Sequence, residues 1–551
     1  MNVILPTGVF NMKRCLSLFL AFLLLLSAAV VPTTAAYEFS VDLPVINIRG
    51  NAQSIVDEDG VVVYDFDPSE EAIKACAKRV LPLLLKGFVT NNFDEYYRAF
   101  GEEMTKIYYH CQLDENGNAQ WGTGIGKEDQ DWLAECMQHD WADENGRYAV
   151  SGRTYNFDWR LDPLESVDGL NEFINAILVN SGKNKVNLYC NCLGGELLLA
   201  YLAKYGADKI NGLAFTETVV FGSELVDETF SGRMNIDPNA VVRFMGDEFM
   251  EDELRENPVL RTFLNESIIL AKQTGVLDGV TKLFMRTLYD KLYEGLTPEL
   301  CLATFGTWPG YWTLVTKEHY AETKQFIFGK PGSERYEKYA GLIQKLDNWD
   351  MQVRQRIPEL LQGAMENGTK LGITARYGSQ FPPVLQSNNA NGDVWVSAKN
   401  ASLGATVSEI GTTLPESYRA RRTAEGFGKY LSPDGQIDAS TCAFPDQTWF
   451  VKGEPHNNHG VYSEPFWTAF FNYNGMPTVD SFREYPQFLV AVRTNPGTSN
   501  TAAFLYPMTE ENMHTETYEV DAKEKTFFEK LKFFFEHVRL WFAALVNLLK
   551  K

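Results

Sequence analysis

The chain of 551 residues is poor in cysteine, with only eight. That is too few to staple a scaffold of this length, and no paired Cys-x-x-Cys units with histidine suggest a zinc site. Positive charge is also scarce. Fifty basic residues face 72 acidic ones, a formal net charge of -22, so the body repels phosphate backbones and a nucleic-acid partner is not expected. Internal repeats and low-complexity tracts are missing, which excludes solenoids and fibres. No cofactor or metal motif stands out. What remains is a chain 45% hydrophobic and 13% aromatic, able to bury a sizeable core.

The two ends differ from the body. Met12-Lys13-Arg14 precede an apolar run from Cys15 to Val31, and Thr34-Ala35-Ala36 offer small residues before Tyr37. This reads as a secretory signal over 1–36, the run being shorter than the ~20 residues of a membrane span. Its removal leaves an odd number of cysteines, so at least one thiol stays free. At the other end, Phe527, Leu531, Phe534, Val538, Trp541, Leu545 and Leu548 recur at helical spacing. Seven basic residues against three acidic lie between Lys523 and Lys551. An amphipathic helix over 521–551 is expected, either on an anionic membrane surface, docked on the body or self-associated along a heptad seam.

Between the ends the pattern alternates. Pro44 to Gly50 reads as a buried strand, and an acidic turn at Asp57-Glu58-Asp59-Gly60 as a hairpin. Leu170 to Leu178 reads as a helix, Lys185 to Cys190 as a strand, Leu197 to Tyr205 as a helix closed by Gly206, and Ile210 to Phe215 as a strand. Such alternation predicts an α/β fold with a mostly parallel sheet covered on both faces. From Ser223 to Lys370 helical periodicity takes over, interrupted by the aromatic loop Thr307 to Trp312, and predicts an inserted helical cap. Strands resume at Leu371 to Tyr377, Val394 to Val396 and Thr448 to Lys452. The expected organisation is a signal over 1–36, a first core half over 37–222, a cap over 223–370, a second core half over 371–520 and the terminal helix.

The strongest chemical signal is Val186 to Leu197, a strand that enters a tight turn and then a helix. In a turn of this kind the central residue is strained and the residues two before and two after must be small. Here they are Cys190 and Gly194, and Cys192 takes the nucleophile's place. A helix beginning at Leu193 favours thiolate. Chemistry then requires a histidine and an acid after later strands. His456 follows the strand Thr448 to Lys452, with His459 its rival; Asp434, in Ser432-Pro433-Asp434-Gly435, is the expected acid, with Asp438 its substitute. Oxyanion donors are expected at the backbone N–H of Leu193 and at Gly50 or Asn51.

Four segments together resemble the lecithin:cholesterol acyltransferase-like branch of the α/β-hydrolases. They are Pro44-Val45-Ile46 through Asn51, Asn156-Phe157-Asp158-Trp159-Arg160-Leu161, the turn at Val186 to Gly195, and Asp434-Gly435-Gln436-Ile437. The resemblance implies an α/β-hydrolase fold and acyl transfer or hydrolysis on lipid esters through a serine. The turn departs from it with Cys190 for glycine and Cys192 for serine. Asp158 and Arg160 read as structural rather than catalytic. The expectation is a secreted or extracytoplasmic enzyme, free or membrane-associated, that acts on a lipid-like acyl ester through an acyl-thioester. The competing expectation is an inactive scaffold of the same shape that holds a lipid or acylated ligand.

Overall fold

The computed structural model describes residues 39–50, 53–63, 70–246, 258–286, 289, 294–456, 461–493, 503–514, 534–543 and 545. The expected signal over 1–36 lies outside them. Nine strands form the main sheet: β1 (Val45–Arg49), β2 (Arg153–Tyr155), β3 (Val186–Cys192), β4 (Ile210–Thr218), β5 (Lys370–Tyr377), β6 (Thr448–Lys452), β7 (Val461–Tyr462), β8 (Phe488–Arg493) and β9 (Ala503–Pro507). Their spatial order is β2-β1-β3-β4-β5-β6-β8-β9-β7, parallel throughout except for the antiparallel pair β8 and β9. The α/β architecture with a mostly parallel sheet is therefore as the alternation predicted.

Central strands read as continuous apolar runs because both faces are covered. Every residue of β5 and of β6 is buried. On one face lies the helix Pro163–Ser181, which begins where the Asp162 side chain accepts from Leu164 N–H with Pro163 in the first turn, and ends at Gly182 with φ 65°. It buries Val167, Leu170, Phe173, Ile174 and Ile177. Beside it packs the helix Gly194–Tyr205, whose first nine residues are all buried. On the other face the helix Glu464–Asn472 buries Phe466, Trp467, Phe470 and Phe471 in a second apolar cluster with Trp449 of β6.

Between β4 and β5 the regular elements described from Glu224 to Glu366 are helices, joined by turns and loops. Its aromatic loop forms a short helix, Pro309–Trp312, with Trp308 and Trp312 buried. The Asp158-Trp159-Arg160 segment holds that loop. Arg160, fully buried, spans Asp158 (Nη2 to Oδ2, 2.7 Å) and the Cys111 carbonyl (3.2 Å), while its own carbonyl accepts from Gly310 N–H at 3.1 Å. Trp159 meets Trp308 edge-on and stacks on Tyr311.

One strand expectation fails. Val394 to Val396 is not a strand; a two-residue strand, Asn391–Gly392, precedes it, and the backbone then turns around the Asp393 side chain.

Candidate active site

The turn after β3 is built by close approach. Cys192 sits at φ 49°, a left-handed conformation that costs a non-glycine residue of order 1–3 kcal/mol and lifts its side chain out of the sheet. Gly194 lies so near β1 that a Cβ there would come within 1.8 Å of the Ile48 carbonyl, and one on Gly50 within 2.3 Å of Leu193 N. These contacts explain why the flanking positions are small. The helix Gly194–Tyr205 starts immediately after, and among the described residues no acceptor takes the Leu193 N–H, which is left for an anion at a helix N-terminus.

His456 reaches this turn from the loop after β6. Its Nδ1 lies 2.8 Å from Asp393 Oδ2, and its backbone N–H donates to the Asp393 carbonyl at 2.8 Å. The imidazole and Cys192 line the same cleft, and the sulfur is near enough to act on the charge of the ring. With Nδ1 taken by Asp393, Nε2 is the nitrogen left for the sulfur. The carboxylate is itself fixed, because Asp393 Oδ1 accepts from the N–H groups of Trp395 and Val396, both at 3.0 Å. Burial by itself pushes the imidazole down, but the Asp393 carboxylate and the Cys192 sulfur beside it outweigh that and hold it well above its ordinary value.

The histidine loop has a second tether. Arg376 on β5 donates from Nη1 to the Pro455 carbonyl at 3.0 Å and pairs through Nη2 with Glu217, at φ 50° near the end of β4. Arginine suits this double task because its fork presents several donors in one plane.

The acid is not where the sequence pointed. Asp434 accepts from Lys452 Nζ at 2.9 Å, Tyr377 Oη at 3.1 Å and Ser432 Oγ at 2.6 Å, all away from His456. Asp438 accepts from Arg422 and Tyr418. The reason is topological: β5 is the neighbour of β6 in the sheet, so the loop after β5 lands beside the loop after β6. Asp393 stands in that loop, directly before the segment Val394 to Val396 that the residue pattern reads as strand. Gly50 also departs from expectation, since its N–H donates to the Asn191 carbonyl at 3.3 Å and its role is close approach rather than donation. Asn51 and His459 lie outside the described residues.

Cys192 and His456 open onto an apolar cleft walled by Leu225, Phe230, Phe305 and Leu314 from the helical segment and by Trp395. Sequence reading missed Glu196, one helical turn past Cys192. Its carboxyl is buried against Thr313 Oγ1 at 3.5 Å, and burial raises it well above the usual carboxylate range. Seven cysteines are free thiols, and Cys192 alone of them is not buried. Burial pushes the other six thiols up, Cys301 and Cys111 to about 12. Among the described residues no cluster of side chains could hold a metal ion.

No family model, curated protein or solved structure matches the chain.

Proposed function

We propose that the chain is an α/β-hydrolase that cleaves or transfers an acyl group through Cys192, His456 and Asp393, with the helices between β4 and β5 acting as its cap. The observation that carries this reading is that the strained Cys192 lines one cleft with an imidazole whose Nδ1 is held by a buried carboxylate. Nucleophile and base are within reach, and the base is oriented by a third group.

In the first half-reaction the Cys192 proton passes to His456 Nε2 and the sulfur attacks the ester carbonyl, forming the C–S bond. The carbonyl oxygen takes up the electron pair and accepts from the Leu193 N–H. As the C–O bond breaks, His456 returns the proton to the leaving alcohol, and an acyl-thioester remains. In the second, water or another alcohol loses a proton to His456 and attacks that carbonyl. The thiolate leaves and is reprotonated. Asp393 stays ionised and stabilises the imidazolium in both halves. The walls of the cleft suit an apolar acyl chain, since they offer it Phe230, Phe305 and Leu314.

Iodoacetamide at neutral pH tests the reading, because only Cys192 combines exposure with a neighbouring base. It is expected to label Cys192 first and to abolish turnover on a panel of short and long acyl esters. Cys192→Ala is expected to be inactive, and Cys192→Ser to retain measurable turnover. Labelling of Cys192 no faster than of Cys76 or Cys301, or ester cleavage that persists in Cys192→Ala, would refute it. Ligand binding without turnover on any ester would favour the inactive scaffold.

A further inference from the structure

Asp393, the acid of the proposed triad, stands in a tight bend that follows the two-residue strand Asn391–Gly392. Its N–H donates to the Val396 carbonyl at 3.1 Å, its Oδ1 accepts from the Trp395 and Val396 N–H groups, and Gly392 bridges Ser397. The strands of the bend lie so close that a Cβ on Gly392 would come within 2.2 Å of the Val396 carbonyl. These bonds give the bend its shape. On one side it is joined to His456, through the ring and through the backbone N–H.

The other side is held by the start of the helical segment. Ser223 Oγ donates to the Trp395 carbonyl at 2.5 Å. Glu224, the first residue of the helix Glu224–Ser231, engages the same stretch with both carboxyl oxygens: Oε2 accepts from Ser397 N–H at 2.9 Å and Oε1 from Asn400 Nδ2 at 2.9 Å. Hydrogen bonds to a carboxylate are the short, strong kind, and a donor on each oxygen leaves it little freedom to turn. Ser397 also caps the helix Ala398–Ala401, its Oγ accepting from Asn400 N–H at 3.1 Å, so the two donors to Glu224 are held in fixed register.

The neighbouring acids of the same helix have other tasks. Asp227 accepts from Thr316 N–H and Oγ1, both at 3.0 Å, and meets His319. Glu228 accepts from Ser387 N–H at 3.1 Å, six residues before Asp393. Three acids thus hold three stretches of chain, and Glu224 takes the one that carries Asp393. The helix also turns Leu225, Val226 and Phe230 to the cleft, whereas Glu224 does not line it.

We infer that Glu224 is a positioning residue of the proposed triad. It seats the Asp393 bend against the helix Glu224–Ser231 and acts on the reaction through Asp393, without touching the substrate. A carboxylate displaced by about 1 Å orients an imidazole poorly, and such small displacements far from the reacting atoms can cost up to about 100-fold in rate. The inference rests on the reading of Asp393 as the acid.

A double-mutant cycle between Glu224 and Asp393 provides the test, in mildly alkaline buffer, above the value of about 7 to which burial pushes the Glu224 carboxyl. Glu224→Gln keeps the shape and one acceptor oxygen, and is expected to lower kcat on a soluble ester about tenfold with KM little changed. Added to Asp393→Asn, whose own loss is larger, it is expected to cost nothing further, because the bend then has no carboxylate to place. Glu228→Gln is expected to lower the melting temperature and to leave kcat alone. A readout without substrate runs beside these: the midpoint of the pH profile for alkylation of Cys192 by iodoacetamide is expected to rise in Asp393→Asn and, by less, in Glu224→Gln. Additive losses in the double variant, equal kcat losses in Glu224→Gln and Glu228→Gln, or a midpoint unmoved by Glu224→Gln would overturn the inference and leave the triad standing. Asp393→Asn without effect on either readout would instead remove the triad reading, and the role of Glu224 with it.

Discussion

Asp393 and Asp434 invite comparison because both are buried carboxylates that meet residues at or just after β6. Asp434 takes Lys452, the last residue of that strand; Asp393 takes His456, in the loop beyond it. One pair is closed: Lys452 Nζ has the Met513 carbonyl as well as Asp434, and neither side chain lines the cleft. The other ends on a group that can gain and lose a proton next to a sulfur. The difference teaches that position relative to the sheet, rather than the chemistry of an Asp-Gly turn, decides which carboxylate can serve a reaction.

Substitution should separate them sharply. Asp393→Ala is expected to lower kcat by roughly 10³- to 10⁴-fold, since the imidazole loses both its orientation and its counter-charge. Asp434→Asn is expected to leave turnover per folded molecule unchanged and to destabilise the protein by about 3–5 kcal/mol, because Lys452 loses its counter-charge in the interior. Steady-state kinetics beside chemical denaturation checks both. A large kcat effect at Asp434 with Asp393 neutral would reverse the comparison.

Arg376 provides an intermediate case. Loss of its hold on the Pro455 carbonyl in Arg376→Gln is expected to shift His456 and to lower kcat by about 10- to 100-fold with little change in KM. Arg376→Lys keeps the charge opposite Glu217 but not the fork, and is expected to recover stability more than rate.

The smallest expected effect is in pH dependence. His456 is held above its unfolded value near 6.5 by Asp393, so it binds its proton more tightly when folded. Its contribution to stability is complete below that unfolded value and declines as pH rises through the higher folded one. In Asp393→Asn this alkaline decline is expected to flatten, which a series of melting temperatures across pH would show. An unchanged slope would mean that the pair does not titrate with folding.

Much of this was legible from residue pattern. The strands Thr448 to Lys452 and Leu371 to Tyr377 were bounded by glycine and composed of residues that suit two-sided burial, and the turn at Cys192 announced itself through the small residues around it. The acid was not legible by the same means. Asp393 belongs to no helix or strand period, and its partner lies far along the chain, so only the adjacency of β5 and β6 selects it. Glu196 escaped for a similar reason: a glutamate in the first turn of a helix ordinarily faces water, and only packing by the helical segment takes it inside. The terminal helix was left between lipid, body and a heptad seam by its sequence, since one amphipathic stripe fits each; its described part meets the body, where the Trp541 indole N–H donates to Ser267 Oγ at 2.9 Å.

Seven free thiols, with no disulfide among the described residues, have a practical consequence. Cohesion owes nothing to covalent cross-links, so millimolar dithiothreitol should leave the melting temperature where it is and refolding should need no oxidant. The same reagent would keep the accessible Cys192 sulfur from peroxide and from stray mixed disulfides. Storage under reductant and loss of labelling in air then become two faces of a single property, the uneven shielding of sulfur across the molecule.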